Sequence, residues 1–134
     1  PGAEIVRVAH QKALRVIPLV GPSSLLLAMM SSGLNGQNFA FNGYLPIDKQ
    51  VRRKTLKVLE RKAQEGQSQL FIETPYRNQQ LLSDLIETLQ PDTLLCIATD
   101  LTLPTESIRT LPIRQWKHTS VDLQKRPTLF IIGR

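Results

Sequence analysis

The chain has 134 residues, of which 41% are hydrophobic and 21% charged, and its formal net charge is +6. This composition is that of a globular protein and excludes a collagen-like or disordered chain. A single cysteine, Cys96, excludes an internal disulfide and favours a reducing compartment, so we expect a cytoplasmic protein. No apolar run approaches the roughly 20 residues that a membrane-spanning helix needs. The basic balance permits an acidic partner such as nucleic acid without identifying one.

The first quarter of the chain predicts a helix, a strand and a second helix. Residues 3–14 place apolar side chains at helical spacing. Arg15–Val20 is short and rich in β-branched residues, which predicts a strand. The turn Gly21–Ser24 then supplies a serine cap, and Leu25–Met30 is apolar on every side, which indicates a buried helix.

The rest of the chain predicts alternating strands and helices. Phe39–Leu45 is a strand, and Asp48 caps a helix of about five turns that ends near Glu65. A further helix begins with Asn78 as its cap and ends at Pro91. This alternation favours the α/β class, with a sheet that is largely parallel. The remaining predicted strands are Gln69–Thr74, Leu94–Ala98, Ser107–Thr110 and Pro127–Ile132.

Three of the predicted strands end in short polar motifs. These motifs are Gly21–Ser24, Glu73–Arg77 and Thr99–Thr102. In open α/β sheets, ligands bind beyond the carboxyl ends of parallel strands, where loops converge and helix N-termini offer free N–H groups. The repetition of the pattern therefore predicts a ligand cleft.

Each motif also has an interpretation without a ligand. The Gly21–Ser24 turn either connects two elements or donates hydrogen bonds to an anion through Ser23 and Ser24. Glu73 either pairs with Arg77 or takes part in binding, and Asp100 either caps a turn or faces a ligand. His10 and His118 have no partner at metal spacing, so we predict no metal site, and Cys96 reads as an inert core thiol.

The helix after Asp48 carries a line of basic residues at i, i+4 spacing. Such a line is either a solvated helix face or a surface that follows a phosphate backbone. We predict RNA contacts at Lys49, Arg53, Lys57, Arg61 and Arg77.

A series of motifs along the chain resembles one known family. The motifs are Pro1-Gly2, Ile17–Ser24, Ser32-Gly33-Leu34, Phe41–Pro46, Arg52-Arg53-Lys54, Phe71–Arg77, Ala98–Thr102 and Glu106. In this order they resemble the tetrapyrrole methylase family, and within it the branch of ribosomal RNA ribose 2′-O-methyltransferases. The resemblance covers nearly the whole chain.

The resemblance implies a fold and a division into domains. Family members have two α/β domains with the methyl donor S-adenosylmethionine in the cleft between them. Residues 1–35 would be the tail of the amino-terminal methylase domain, and residues 36–134 the carboxy-terminal methylase domain. We expect the second domain to be a mixed five-stranded sheet with helices on both faces, and both ends of the chain to be cut from a longer protein.

The resemblance also implies a function. The chain would be part of an S-adenosylmethionine-dependent methyltransferase that acts on ribosomal RNA, forms a homodimer and is inactive as a fragment. A positioned base would assist a ribose hydroxyl, and Glu73 and Asp100 are the candidates. The expected donor contacts include the two serines of the first turn. They are Ser23, Ser24, Phe71, Ile72, Glu73, Ala98, Leu101, Pro127, Thr128 and Leu129.

Two motifs depart from the ribosomal RNA branch. That branch usually reads Glu-Ser-Pro-His-Arg at Glu73–Arg77 and Ala-Arg-Glu-Leu-Thr-Lys at Ala98–Leu103, so basic residues are missing at Thr99 and Leu103. Three alternatives therefore stay open: a tetrapyrrole or corrin-type small-molecule methyltransferase, a non-catalytic basic nucleic-acid-binding module, and a dimerisation domain.

Overall fold

A computed structural model describes residues 2–134 as a mixed five-stranded sheet with helices on both faces, which confirms the expected α/β fold. Pro1, which shares a motif with Gly2, lies outside the described residues. The helices are α1 (Ala3–Gln11), α2 (Ser24–Ser31), α3 (Lys49–Gln64), α4 (Asn78–Thr88) and α5 (Ile113–Trp116). The strands are β1 (Phe39–Tyr44), β2 (Ser68–Ile72), β3 (Leu94–Thr99), β4 (Ser107–Pro112) and β5 (Thr128–Gly133).

The strands lie in the order β1-β2-β5-β3-β4. β1 is parallel to β2, whereas β5 is antiparallel to both of its neighbours and β4 is antiparallel to β3. The largely parallel sheet indicated by the alternation of elements is therefore wrong, and the mixed sheet implied by the resemblance is right. Because β2 and β3 both oppose β5, their carboxyl ends lie at the same edge, on either side of the start of β5.

The two faces of the sheet are covered differently. Helices α3, α4 and α5 pack on one face, where the rings of Phe71 and Phe130 stack with centroids 6.0 Å apart. On the other face, Ala28 and Met29 of α2 pack against a smaller set of residues. That set is Leu70, Cys96, Ala98, Leu129 and Ile131.

Helix α3 follows its sequence signals closely. The side chain of Asp48 accepts a hydrogen bond from the Val51 amide at 2.9 Å, which satisfies one of the free N–H groups of the first turn. Beyond the other end, Gly66 adopts a φ of 106°, a left-handed conformation that glycine tolerates best. Because α3 connects the end of β1 to the start of the parallel strand β2, it runs away from the sheet edge at which both strands end.

The prediction of a strand at Arg15–Val20 is wrong. This segment carries no strand assignment, and its side chains are exposed, including Leu19 and Val20. A β-branched run forms a strand only beside a partner that takes up its backbone hydrogen bonds. No strand of residues 2–134 pairs with it.

Two helix predictions also need correction. In α2, Leu26 and Met30 are exposed, because only one side of the helix meets the sheet. The start of α4 differs as well: Asn78 is its first residue rather than its cap, and the residue at the cap position is Arg77. The Asn78 side chain is fully buried and donates to the carbonyl oxygen of Arg126, 48 residues along the chain.

Candidate functional site

A cleft of about 370 Å³ opens at the edge where β2 and β3 end and β5 begins. Three segments form its walls: the corner after β2, the loop after β3, and the start of β5. The first residue of α2 adds to them. The volume lies in the range of small-molecule sites. The lining residues are Ser24, Ile72, Glu73, Pro75, Ala98, Asp100, Leu101, Leu103, Pro127, Thr128 and Leu129.

The cleft brings together most of the expected donor contacts and both candidate bases, and none of the predicted RNA contacts. Ser23 and Phe71 are the exceptions among the donor contacts. Ser23 stands at the cap position of α2, and its side chain makes no capping hydrogen bond. The Phe71 ring packs on Phe130 in the core of the opposite face, because side chains alternate along a strand. Phe71 can therefore reach the cleft only through its backbone.

Glu73 is held from two sides. Its Oε1 accepts hydrogen bonds from the amide and the hydroxyl of Thr74, at 2.7 and 3.3 Å. Its Oε2 is buried and lies 4.0 Å from Nη1 of Arg52. The alternative of an ion pair between Glu73 and Arg77 is wrong, since the cation beside Glu73 is Arg52. The Arg77 guanidinium lies instead 5.2 Å from the centroid of the Tyr76 ring.

Arg52 forms a buried charge cluster with two carboxylates. Its Nη1 lies 3.2 Å from Oδ2 of Asp84, and its Nη2 donates to the carbonyl oxygen of Ile47 at 2.9 Å. All three charged side chains are at least nine-tenths buried. Such a cluster fixes the corner after β2, because Arg52 is the cation that both buried carboxylates face, and its removal would leave Glu73 unpaired.

Asp100 sits in a strained loop and is bound through one oxygen. Its φ is 52°, and its Oδ2 accepts from Nε of Arg126 and from the hydroxyl of Thr105, each at 2.8 Å. These two hydrogen bonds, Arg126 first, hold the pKa of the Asp100 carboxyl below its usual value. Within residues 2–134, Oδ1 has no hydrogen-bond partner. The group is thus a charged acceptor at neutral pH rather than a strong base.

The rest of the cleft wall is mainly apolar. Ile72, Leu101, Leu103, Pro127 and Leu129 supply most of it. An apolar wall with a few fixed polar groups suits a flat, partly apolar organic ligand. In the described part of the chain, no three side chains of the metal-ligating types come together.

The basic line on α3 is partly neutralised. Lys49 lies 3.7 Å from Glu87, which also pairs with Arg53. Lys57 lies 3.7 Å from Glu60, whereas Arg61 has no ion-pair partner among residues 2–134. The line begins at the cleft edge of the sheet and runs away from it over about 18 Å, at 1.5 Å per residue.

Sequence reasoning missed Arg52 and Arg126. Arg52 precedes the buried Leu56 by four residues and Leu59 by seven, so it falls on the apolar stripe of α3. An arginine on an apolar stripe was a usable signal of a buried charge pair. Arg126 carried no local signal, since its partners lie at distant positions in the chain.

Similarity to known proteins agrees with this architecture. No family model matches the chain. Over 113 residues it is 31% identical to the "Ribosomal RNA small subunit methyltransferase I" of Escherichia coli O157:H7, covering 84% of this chain and 38% of that protein. The protein of the same name from Xylella fastidiosa strain 9a5c is 33% identical over 134 residues, covering 98% of this chain and 48% of that protein. The chain thus spans less than half the length of these curated relatives.

Solved structures share the fold at low identity. The methyltransferase CobJ superposes with a TM-score of 0.60 at 17% identity, covering 98% of this chain and 56% of that one. The uroporphyrin-III C-methyl transferase of Thermus thermophilus, solved with S-adenosyl homocysteine, superposes with a TM-score of 0.53 at 17% identity. The match covers 99% of this chain and 59% of that one. Among residues 2–134, no helix has the length and apolar character to cross a membrane. The sequence relatives and the shared fold together show that the chain belongs to the tetrapyrrole methylase family, near its ribosomal RNA methyltransferase branch.

Proposed function

We propose that this chain is the carboxy-terminal part of an S-adenosylmethionine-dependent methyltransferase that methylates ribosomal RNA at a ribose 2′-oxygen. The observation that carries the proposal is the cleft at the shared carboxyl edge of β2 and β3. Its walls are the segments to which the family resemblance assigns donor contacts. The names of the sequence relatives support RNA as the acceptor.

The cleft suits a donor that brings its own leaving group. A sulfonium methyl donor needs alignment with the acceptor more than it needs covalent chemistry from the protein. In this proposal the apolar side chains Ile72, Leu101 and Leu129 pack on the donor, and the backbone of the three wall segments supplies polar contacts. Ser24 and Thr128 complete the lining.

The two candidate bases, Glu73 and Asp100, differ in how many of their carboxylate oxygens are held by other groups of the protein. Glu73 has one oxygen bonded to Thr74 and the other buried beside Arg52, which suits a role in fixing the corner. Asp100 lines the cleft with Oδ1 unpartnered within the described residues. Asp100 is therefore the better-placed acceptor for a hydroxyl hydrogen bond, although its lowered pKa makes it a weak base.

We assign residues 1–35 to the tail of the amino-terminal domain and residues 36–134 to the carboxy-terminal domain of a cytoplasmic protein. The exposure of the residues ahead of α2 supports assigning the start of the chain to another domain, whereas α2 itself packs on the sheet. Helix α1 has no buried residue, and Ile5, Ile17 and Leu19 are largely exposed. Apolar surface of this extent is usually covered by a partner.

We also propose a homodimer, as the family resemblance implies. Light scattering of the full-length protein should then give twice the monomer mass over a wide concentration range. A strict monomer at high concentration would rule out this arrangement.

A corrin- or tetrapyrrole-type acceptor is the second candidate. Leu103, exposed at the cleft rim, stands where the ribosomal RNA branch usually carries lysine. An apolar rim suits a flat macrocycle better than it suits a phosphate chain.

One assay separates the three possibilities. The full-length protein is incubated with S-adenosylmethionine labelled in the methyl group, and with either small-subunit ribosomal RNA or a uroporphyrin-type tetrapyrrole. Label in the RNA at a ribose supports the proposal, and label in the tetrapyrrole supports the second candidate. RNA binding without transfer to either acceptor would point to a non-catalytic basic module.

Calorimetry tests the two-domain cleft. S-adenosylhomocysteine should bind the full-length protein and bind the 134-residue chain far more weakly, because half of the pocket is absent. Equal affinity for both would contradict a cleft between two domains.

A further inference from the structure

We propose that Arg126 is a positioning residue that holds the three walls of the cleft together. The identity of the bound ligand rests on the proposed function, whereas the junction itself is seen in the contacts of Arg126. Arg126 does not line the cleft, and it directly precedes Pro127, which does.

The side chain of Arg126 ties the β5 segment to the loop after β3. Its Nε donates to Oδ2 of Asp100, and its Nη2 donates to the carbonyl oxygen of Thr105, each at 2.8 Å. Its Nη1 donates to the carbonyl oxygen of Asp122, also at 2.8 Å. The planar fork of a guanidinium can meet three acceptors in fixed directions, which an ammonium group cannot do.

The backbone of Arg126 ties the same segment to the corner after β2. Its carbonyl oxygen accepts from the buried side-chain amide of Asn78 at 2.7 Å and from the Thr128 hydroxyl at 2.9 Å. The neighbouring Lys125 amide donates to the carbonyl oxygen of Pro75 at 3.3 Å. Each of the three cleft walls is therefore bonded to Arg126 or to the residue beside it.

Backbone strain shows why a junction is needed here. Asp100, Thr102 and Lys125 all have positive φ values, of 52°, 69° and 57°. Aspartate tolerates such a conformation, but a β-branched residue such as Thr102 keeps it only where the surrounding contacts impose it. The bonds from Arg126 to Asp100 and Thr105 provide such contacts for the loop after β3.

Besides Asp100, the strained loop carries two cleft-lining side chains, Leu101 and Leu103. Without the Arg126 fork, Asp100 loses its cation and the loop can relax toward ordinary backbone angles. That movement would displace both side chains from the ligand. Arg126 thereby acts on binding through the loop and without touching the ligand.

The test compares Arg126→Ala and Arg126→Lys in the full-length protein. A matched control is Arg114→Ala, which removes another arginine–aspartate pair, with Asp92, from the opposite edge of the sheet. The dissociation constant of S-adenosylhomocysteine is measured by calorimetry, and amide hydrogen exchange is followed over residues 99–105.

We expect Arg126→Ala to weaken binding about tenfold or more and to speed exchange in this loop. The lysine variant should recover only part of the affinity, because it keeps the charge and loses the fork, and Arg114→Ala should match the wild type in both measurements. Unchanged affinity in Arg126→Ala, with or without faster exchange, would overturn the positioning role. If the wild type itself fails to bind, the proposed function fails, and the exchange rates alone decide whether Arg126 orders the loop.

Discussion

The two faces of the sheet differ in how completely helices cover them. The face under α3, α4 and α5 is closed by the larger core, whereas the face under α2 leaves apolar side chains in solvent. Phe41 of β1 lies opposite Leu70 in register, shares its face and is 44% exposed. The cleft opens on this second face, since its lining includes Ala98 and Leu129 from the smaller core. The chain thus draws its stability mainly from one face and offers the other for binding.

The largest loss of stability is expected when the buried charge cluster on the closed face is broken. Arg52→Ala would leave the buried carboxylate of Glu73 without a cation and that of Asp84 with only Lys49, whose Nζ lies 3.9 Å away, and should lower the free energy of unfolding by about 3–5 kcal/mol. Arg61→Ala on the same helix removes an exposed charge and should change it by about 0.5 kcal/mol or less. Urea unfolding followed by the fluorescence of the buried Trp116 measures both. Similar values for the two variants would contradict the cluster.

A second pair of variants compares the two faces directly. Leu85→Ala in α4 removes a fully buried side chain and should cost about 2–5 kcal/mol of unfolding free energy. Met30→Ala in α2 removes a side chain that is 75% exposed and should cost no more than about 0.5 kcal/mol in the 134-residue chain. A large loss in Met30→Ala would mean that the open face is already covered.

The contrast between the faces also shows what the sequence could predict. Helix α3 and strand β3 carried local signals: the Asp48 cap, the period of Leu56 and Leu59, and the apolar run of β3. These signals are local because each element closes its own hydrogen bonds or buries a regular stripe. The order of the elements from β1 to β4 followed from them, whereas α5 was not predicted.

Features that depend on distant contacts were missed. The β-branched run Arg15–Val20 has no paired neighbour and so forms no strand. Asn78 lies inside α4, and its side-chain amide donates to the distant Arg126 carbonyl oxygen. At the site, the motif positions around Glu73 and Asp100 were correctly placed at one edge. The junction at Arg126 was invisible in the sequence, because its partners are fixed only by the folded sheet.

A smaller effect is expected on the stability of the protein at acidic pH. Because the Asp100 pKa is lower in the fold than its usual value of 3.8, the Arg126 contact stabilises the protein above that value and is lost as the pH falls through the lowered pKa. Asp100→Asn keeps a residue that tolerates positive φ and removes the titration. The wild-type unfolding midpoint should therefore fall more steeply below about pH 4 than that of the variant.

Thermal unfolding from pH 7 to pH 3 makes this comparison. Glu106, whose carboxylate accepts a hydrogen bond from the Thr102 amide, is present in both proteins, so the comparison isolates Asp100. Parallel curves would show that the Asp100–Arg126 pair contributes nothing that depends on pH.

The smallest effect on stability is expected on the basic line of α3. Lys57→Gln with Arg61→Gln in the full-length protein should weaken RNA binding alike for all sequences and reduce its salt slope by about 2. The unfolding free energy should change by about 0.5 kcal/mol or less for each exposed site. The control pair, Arg114→Gln with Lys117→Gln, removes the same charge from α5 and the residue that follows it. An equal loss of RNA affinity in both pairs would indicate net charge rather than a defined surface.

A crystal structure of the full-length protein with S-adenosylhomocysteine tests the central claim most directly. The ligand should lie at the shared carboxyl edge of β2 and β3, against Ile72, Leu101 and Leu129. The Arg126 bonds to Asp100 and Thr105 should be intact in the same crystal. A ligand bound elsewhere, with this cleft empty, would contradict the assignment of the open face as the binding face.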